Sequence, residues 1–133
     1  MAGDGSKAWS AVPLPADVPR PVGAYSPVIR AGDFVYVSGQ VPADPVTGEM
    51  GNDVGAQTRG VLRNLARVLG YAGATLSDVV SVTAYLSDIA DWDAFNAVYR
   101  EHFAAPFPTR TTVGAGLHGV LVEISAVAYV PER

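Results

Sequence analysis

Short stretches of the chain alternate between apolar and polar positions, which is the pattern of half-buried β-strands. In residues 34–38 (FVYVS), two valines fall on one side and the aromatic residues on the other. A stretch at 28–30 is expected to pair with 34–38 across the turn that begins at Gly32. Three further stretches are predicted to be strands, at 79–87, 109–114 and 121–130.

Two other segments carry apolar residues at the three- and four-residue spacing of an amphipathic helix. The first runs over about 53–70, with Asn52 or Asp53 as its N-cap. The second runs over about 92–103, begins at the cap residue Asp91, and is ended by a pair of prolines. One face of this second helix is aromatic and consists of Trp92, Phe95, Tyr99 and Phe103.

The order of elements is therefore β-β-α-β-α-β-β. Two helices of this length can cover one face of a sheet and leave the other face uncovered. That second face is too apolar for open solvent and too polar for an ordinary core, so it suits an interface between copies of the chain. We expect it to carry Tyr36, Ser38, Ser81, Thr83, Tyr85, Glu123, Val127 and Tyr129. The covered side of 79–87 is expected to carry Val80, Val82, Ala84 and Leu86.

The composition is that of a single globular domain. Of the 133 residues, 49% are hydrophobic and 17% are charged, a balance that excludes a disordered chain. Cysteine is absent, which excludes disulfides, thiol catalysis and thiolate metal sites. The proline-rich segment 1–20 is expected to be a flexible extension that precedes a domain at 21–133.

The charge and the hydropathy argue against two classes of partner. The formal net charge is -4, which does not favour nucleic acid or an anionic membrane as the main partner. No stretch reaches the ~18 uninterrupted apolar residues of a membrane span, and the first residues lack the pattern of a secretory signal. We therefore expect a cytoplasmic protein.

Two side chains, Arg110 and Glu123, are the strongest candidates for chemistry. Arg110 stands at the start of a predicted strand, where its guanidinium could hold a carboxylate through two parallel hydrogen bonds. Glu123 lies among apolar residues, where a carboxylate is costly to bury unless paired and could exchange protons with a substrate. The two are thirteen positions apart on consecutive strands, so a hairpin could bring them together. A structural ion pair and an exposed arginine at the end of a strand are the alternatives.

Other residues could line a pocket around this pair. Tyr25 lies in a loop near the predicted sheet edge, where its phenol could bind a substrate or simply fill space. Thr112 follows Arg110 by two positions and so points to the same side of the strand. Ser38 and Gly39 end the second strand, where a glycine permits close approach of a ligand to the backbone or simply terminates the strand.

Several common kinds of site are absent from the sequence. The two histidines, His102 and His118, are sixteen positions apart without accompanying carboxylates, so we expect no metal site. Neither histidine fits a Ser-His-Asp arrangement. The sequence also lacks the glycine-rich loops that bind nucleotide phosphates.

The chain from Pro21 to Val130 resembles the RidA-like (YjgF-type) family of enamine/imine deaminases. The stretches that carry the resemblance are GAYSP (23–27), VYVSGQVPADPVTGE (35–49), QTRGVLRNLARVL (57–69), the strand around Asp78–Asp88, FNAVYREHF (95–103), PTRTTVG (108–114) and VEISAVA (122–128). The resemblance implies an α+β fold similar to that of the trimeric chorismate mutases, with a mixed sheet. It also implies a homotrimer with a central barrel, sites between subunits, and no cofactor or metal.

The family reaction is the hydrolysis of 2-aminoacrylate-type enamines and imines, such as 2-iminobutanoate and 2-iminopropanoate, to 2-oxo acids and ammonia. By resemblance, Arg110 holds the carboxylate of the substrate and Glu123 positions or activates the water. Tyr25 is contributed from a neighbouring subunit, and Ser38 and Gly39 line the pocket.

Two departures from the family pattern leave a second function open. Thr112 stands where the family often has a cysteine, and the connection 114–121 is shorter than usual, with His118 where a proline normally follows the leucine. The alternative is a non-catalytic protein that binds small carboxylates, or a stress-related oligomer, using the same cleft. Some family members are described as ribonucleases, an activity that the acidic net charge does not favour.

Overall fold

The computed structural model describes residues 5–131. In this range the chain forms six strands and two α-helices, together with short 3-10 turns at Leu76–Asp78 and Ile89–Asp91. The elements are β1 (Ser10–Ala11), β2 (Val28–Ala31), β3 (Phe34–Gln40), α1 (Val54–Tyr71), β4 (Val79–Leu86), α2 (Trp92–Tyr99), β5 (Thr109–Gly114) and β6 (Val122–Tyr129). The α+β class is confirmed, and the predicted order of elements is confirmed with one added strand, β1.

The described strands form one mixed sheet in the order β1-β2-β3-β6-β4-β5. β4 and β5 are parallel because α2 carries the chain across between them, whereas the other neighbouring strands are antiparallel. β6 enters between β3 and β4. β5 and β6 are therefore separated by a full strand, although they follow each other in sequence.

One face of the sheet is covered by the two helices, as predicted. α1 begins at the predicted cap, where Asp53 Oδ1 accepts a hydrogen bond from the backbone N–H of Ala56 at 2.8 Å. Leu62, Leu65 and Leu69 on α1 are fully buried against β3 and β6. Burial of each such side chain contributes roughly 1.5–3 kcal/mol, which is what stabilises a helix that contains internal glycines.

Two details of the strands and helices differ from the predictions. The register of β4 shifts against β6 between Val79 and Ser81, so Val79 is buried and Val80 is 42% exposed. The prediction that Val80 faces the core was therefore wrong, because a β-bulge interrupts the alternation there. α2 also ends at Tyr99, one turn earlier than predicted.

The added strand β1 lies within the proline-rich segment 1–20. Ser10–Ala11 pairs with β2, and the N–H of Val12 donates to the carbonyl of Val28 at 3.1 Å. Val12 and Leu14 pack against the core. Residues 1–4 lie outside the described residues, and flexibility of the extension stays a prediction.

The second face of the sheet is not covered by any element of residues 5–131. It carries aromatic residues at one end, where the rings of Phe34 and Tyr129 lie 5.3 Å apart and Tyr36 is 46% exposed. Half-buried polar residues follow along β4 and β6. Neither helix of the described range is both long enough and apolar enough to pass through a lipid bilayer.

Candidate active site

Arg110 lies on β5, the edge strand, opposite Val82 of β4. Its side chain turns toward the helix-covered face, where Nη1 donates to Oδ1 of Asn96 on α2 at 2.9 Å. The residue is half-buried. The hydrogen bond fixes one end of the guanidinium and leaves its other N–H groups directed away from Asn96.

Three rings of α2 surround the same guanidinium. Its central carbon lies 4.5 Å from the ring centroid of Tyr99, 5.3 Å from that of Trp92 and 5.4 Å from that of Phe95. Each such contact contributes roughly 0.5–2 kcal/mol, more where water is excluded. The rings therefore restrict the cation of Arg110 to one position.

A cavity of about 330 Å³ opens beside this guanidinium. It is lined by Asn96, Tyr99, Arg100, Phe107, Pro108 and Arg110. No acidic side chain of residues 5–131 lines it, and within that range no carboxylate forms an ion pair with Arg110. The expected alternative, a structural ion pair of Arg110 with Glu123, is therefore not formed within the chain. The cavity has the charge and shape to accept a small anion.

Two buried hydroxyl groups lie on this side of the sheet. The phenol of Tyr99 and the hydroxyl of Thr112 have no hydrogen-bond partner among the described residues. Burial raises the pKa of Tyr99, and the nearby charge of Arg110 opposes that rise. Thr112 faces the same side as Arg110, as predicted, but its hydroxyl does not reach the cavity. Its role in substrate binding stays a prediction.

Glu123 lies on β6, paired with Tyr85 of β4, and its side chain points to the uncovered face. It rests against the backbone of Gly39, where β3 has a bulge. A Cβ at residue 39 would overlap Oε2 of Glu123 and lie 3.0 Å from its Cδ, so only glycine leaves room for this carboxylate. The carboxylate of Glu123 has no hydrogen bond or ion pair within the described part of the chain.

The other two predicted site residues lie near Gly39. The hydroxyl of Ser38 donates to the carbonyl of Ser26 at 2.6 Å, which ties the end of β3 to the loop that contains Tyr25. Tyr25 is 56% exposed and lines, together with Gly39, a second cavity of about 230 Å³. Tyr25, Ser38, Gly39 and Glu123 thus belong to one region of the molecule.

Arg110 and Glu123 do not meet within one chain. The prediction of a hairpin that joins them was wrong, because β4 lies between their strands and the two side chains leave opposite faces of the sheet. The chain therefore carries two separate candidate regions, which we call the anion half and the carboxylate half. The anion half contains Arg110 and its partners on α2, and the carboxylate half contains Glu123, Gly39 and the residues beside them.

The hydrogen bond between Asn96 and Arg110 was not predicted from the sequence. The aromatic face of α2 was predicted, but its contact with Arg110 was not, although Trp92 and Tyr99 hold the guanidinium. The available signal was a polar residue one turn before Tyr99, on the same helix face. Within residues 5–131 the structure contains no cluster of three metal-binding side chains.

A family model described as Endoribonuclease L-PSP matches residues 16–130. The chain belongs to this family, the RidA (YjgF) family. The match includes both halves of the site and all strands except β1.

Relatives of this RidA-family chain include proteins with described activities and ligands. The 3-aminoacrylate deaminase RutC of Acinetobacter baylyi is 40% identical over 120 residues, 88% of this chain and 95% of that protein. The crystal structure of RidA from the Antarctic bacterium Psychrobacter sp. PAMC 21119 is 31% identical, covers 90% of this chain and 98% of its own, and superposes with a TM-score of 0.81. The crystal structure of E. coli TdcF with bound serine is 34% identical, covers 84% of this chain and 92% of its own, and gives a TM-score of 0.76.

Proposed function

We propose that this protein hydrolyses 2-aminoacrylate-type enamines and their imine tautomers to 2-oxo acids and ammonia. The observation that carries the proposal is the guanidinium of Arg110, which is fixed by Asn96 and three rings beside an anion-sized cavity and has no carboxylate partner in the described chain. A relative that is a 3-aminoacrylate deaminase supports the reaction class.

Arg110 binds the carboxylate of the substrate in this proposal. A bidentate arginine fixes both the position and the plane of a carboxylate, which reduces the entropic part of the barrier. The structure of TdcF with bound serine supports a ligand of this kind, because serine carries an α-carboxylate.

Glu123 acts on the water. Its carboxylate accepts a proton as the water oxygen bonds to the imine carbon, and the C=N double bond becomes a C–N single bond. The proton then passes from Glu123 to the nitrogen, which gives a carbinolamine with an OH and an NH2 group on the same carbon. Glu123 next moves the proton of that OH group to the nitrogen, the C–N bond breaks, and ammonia leaves as the C=O bond of the 2-oxo acid forms. Proton transfer of this kind typically contributes ~10²–10⁴ in rate.

The complete site requires two copies of the chain, because Arg110 and Glu123 leave opposite faces of one sheet. We propose a homotrimer in which one subunit supplies Arg110 and its neighbour supplies Glu123, Tyr25, Ser38 and Gly39. The uncovered sheet face supports association, since its exposed aromatic residues favour contact with another protein surface.

The test is the release of ammonia and 2-oxo acid from imines that an amino-acid oxidase generates in the assay. Arg110→Ala and Glu123→Gln should each lower the rate by at least about 10²-fold. The controls Arg63→Ala and Glu49→Gln change exposed residues that touch neither half of the site, and they should keep full activity. Activity that persists in both site variants, with the oligomer intact, would reject these roles.

A second candidate function is binding of small carboxylates without turnover. The shortened connection 114–121, with His118, is the feature that favours it. For this function, we expect the protein to bind 2-oxo acids in a manner that requires Arg110, and to release no ammonia from imines. Cleavage of RNA, which the name of the family model suggests, is not favoured by a net charge of -4.

A further inference from the structure

The cavity beside Arg110 contains a second cation. Arg100, at the end of α2, lines the same cavity of about 330 Å³. Its guanidinium forms no hydrogen bond or ion pair with a side chain of residues 5–131. The carboxylate next to it in sequence, Glu101, pairs instead with Arg59 on α1 at 3.7 Å.

Two arginines on one cavity create a positive electrostatic potential there, although the protein as a whole is negatively charged. The chain has a net charge of -4, yet no acidic residue of the described range lines this cavity. Like charges that face one small space repel each other until an anion enters between them. A ligand with two negative groups relieves that repulsion at both arginines, whereas a ligand with one relieves it only at Arg110.

We propose that the preferred substrates are imines of acidic amino acids, which carry a second carboxylate on the side chain. Arg110 binds the α-carboxylate and Arg100 binds the side-chain carboxylate. This inference rests on the proposed function for the part that Arg110 plays. The volume of the cavity is sufficient, since small-molecule sites begin at roughly 300 Å³.

The same cavity also has an apolar wall, which could instead favour ligands with an uncharged side chain. Phe107 is 51% exposed and lies beside Pro108. A site governed by that wall prefers an uncharged side chain. The two cases are separated by 2-oxoglutarate and 2-oxopentanoate, which differ only in that a methyl group replaces the terminal carboxylate.

The experiment measures the affinity of both 2-oxo acids by isothermal titration calorimetry at low ionic strength. The wild type should bind 2-oxoglutarate about tenfold more tightly than 2-oxopentanoate, because the second carboxylate gains a charge-assisted contact. Arg100→Gln should abolish that preference, because it should weaken binding of 2-oxoglutarate more than binding of 2-oxopentanoate. Arg63→Gln, which removes an exposed arginine of α1 outside the cavity, should keep the preference.

Equal affinities in the wild type, or a preference that survives Arg100→Gln, would overturn the inference. Arg110→Ala separates this failure from that of the proposed function. If binding of 2-oxopentanoate depends on Arg110 but no preference for 2-oxoglutarate exists, only the inference about Arg100 fails. If neither ligand depends on Arg110, the carboxylate site of the proposed function fails as well.

Discussion

Replacing Gly39 with alanine tests the carboxylate half of the site with the smallest possible change. The added Cβ would overlap Oε2 of Glu123 and lie 3.0 Å from Cδ and 3.2 Å from Cγ. Restoring ordinary van der Waals contact requires the carboxylate to move by on the order of 1 Å. The backbone need not move, because the group in the way is the end of a flexible side chain.

The expected result is a loss of activity without a loss of the fold. Displacement of a catalytic group by about 1 Å can lower the rate ~10²-fold. We expect the free energy of unfolding to change by less than about 1 kcal/mol, since Glu123 can rotate away rather than strain the sheet.

Gly70→Ala is the matched control. Gly70 lies near the end of α1, and a Cβ there meets nothing within 4 Å. This variant should keep full activity and gain up to about 1 kcal/mol in stability, because alanine is the better helix former. The assay is imine hydrolysis together with denaturant unfolding of all three proteins. Full activity in a folded Gly39→Ala variant would refute the argument that this carboxylate is held in a working position by the glycine.

Two further predictions concern the partners of Arg110. Asn96→Ala removes the hydrogen bond of 2.9 Å to the guanidinium and should raise KM about tenfold with a smaller effect on kcat; an unchanged KM would contradict this role. Tyr99→Phe removes a buried hydroxyl that has no partner in the described residues and should raise the free energy of unfolding by about 1 kcal/mol at neutral pH, as measured by denaturant unfolding. Because burial raises the pKa of Tyr99 above its ordinary value of 10.0, the unfolded chain ionises first, and the wild type should lose stability as the pH rises above that value. Tyr99→Phe should lose less stability than the wild type over the same alkaline range. An identical loss in both proteins would contradict a raised pKa for Tyr99.

Much of the fold was predictable because the local patterns are strong. The helix of 53–70 and its cap Asp53 follow from apolar spacing and cap chemistry, and both were confirmed. The alternation in 34–38 likewise gave the correct faces of β3. The burial of Val79 rather than Val80 was not predictable, because a bulge depends on how two strands pair and not on either strand alone.

The candidate site was predictable residue by residue but not as an arrangement. Arg110 and Glu123 both stand out by residue type and setting, yet their relation depends on the strand order. Because β5 and β6 follow each other in sequence, a hairpin of these two strands is the simplest expectation. In the sheet, β5 pairs in parallel with β4, and β4 therefore lies between β5 and β6. Asn96 was missed because a polar residue on a helix contacts Arg110 only through tertiary packing.

Mixed oligomers of Arg110→Ala and Glu123→Gln subunits test whether each site is shared between two subunits. Each variant alone lacks one group in every site and should be nearly inactive. If a site takes Arg110 from one subunit and Glu123 from its neighbour, random one-to-one mixing gives both native residues in about one site in four. We expect recovery of about one quarter of the wild-type rate when the two variants are co-expressed and purified together. A mixture no more active than either variant alone would contradict it.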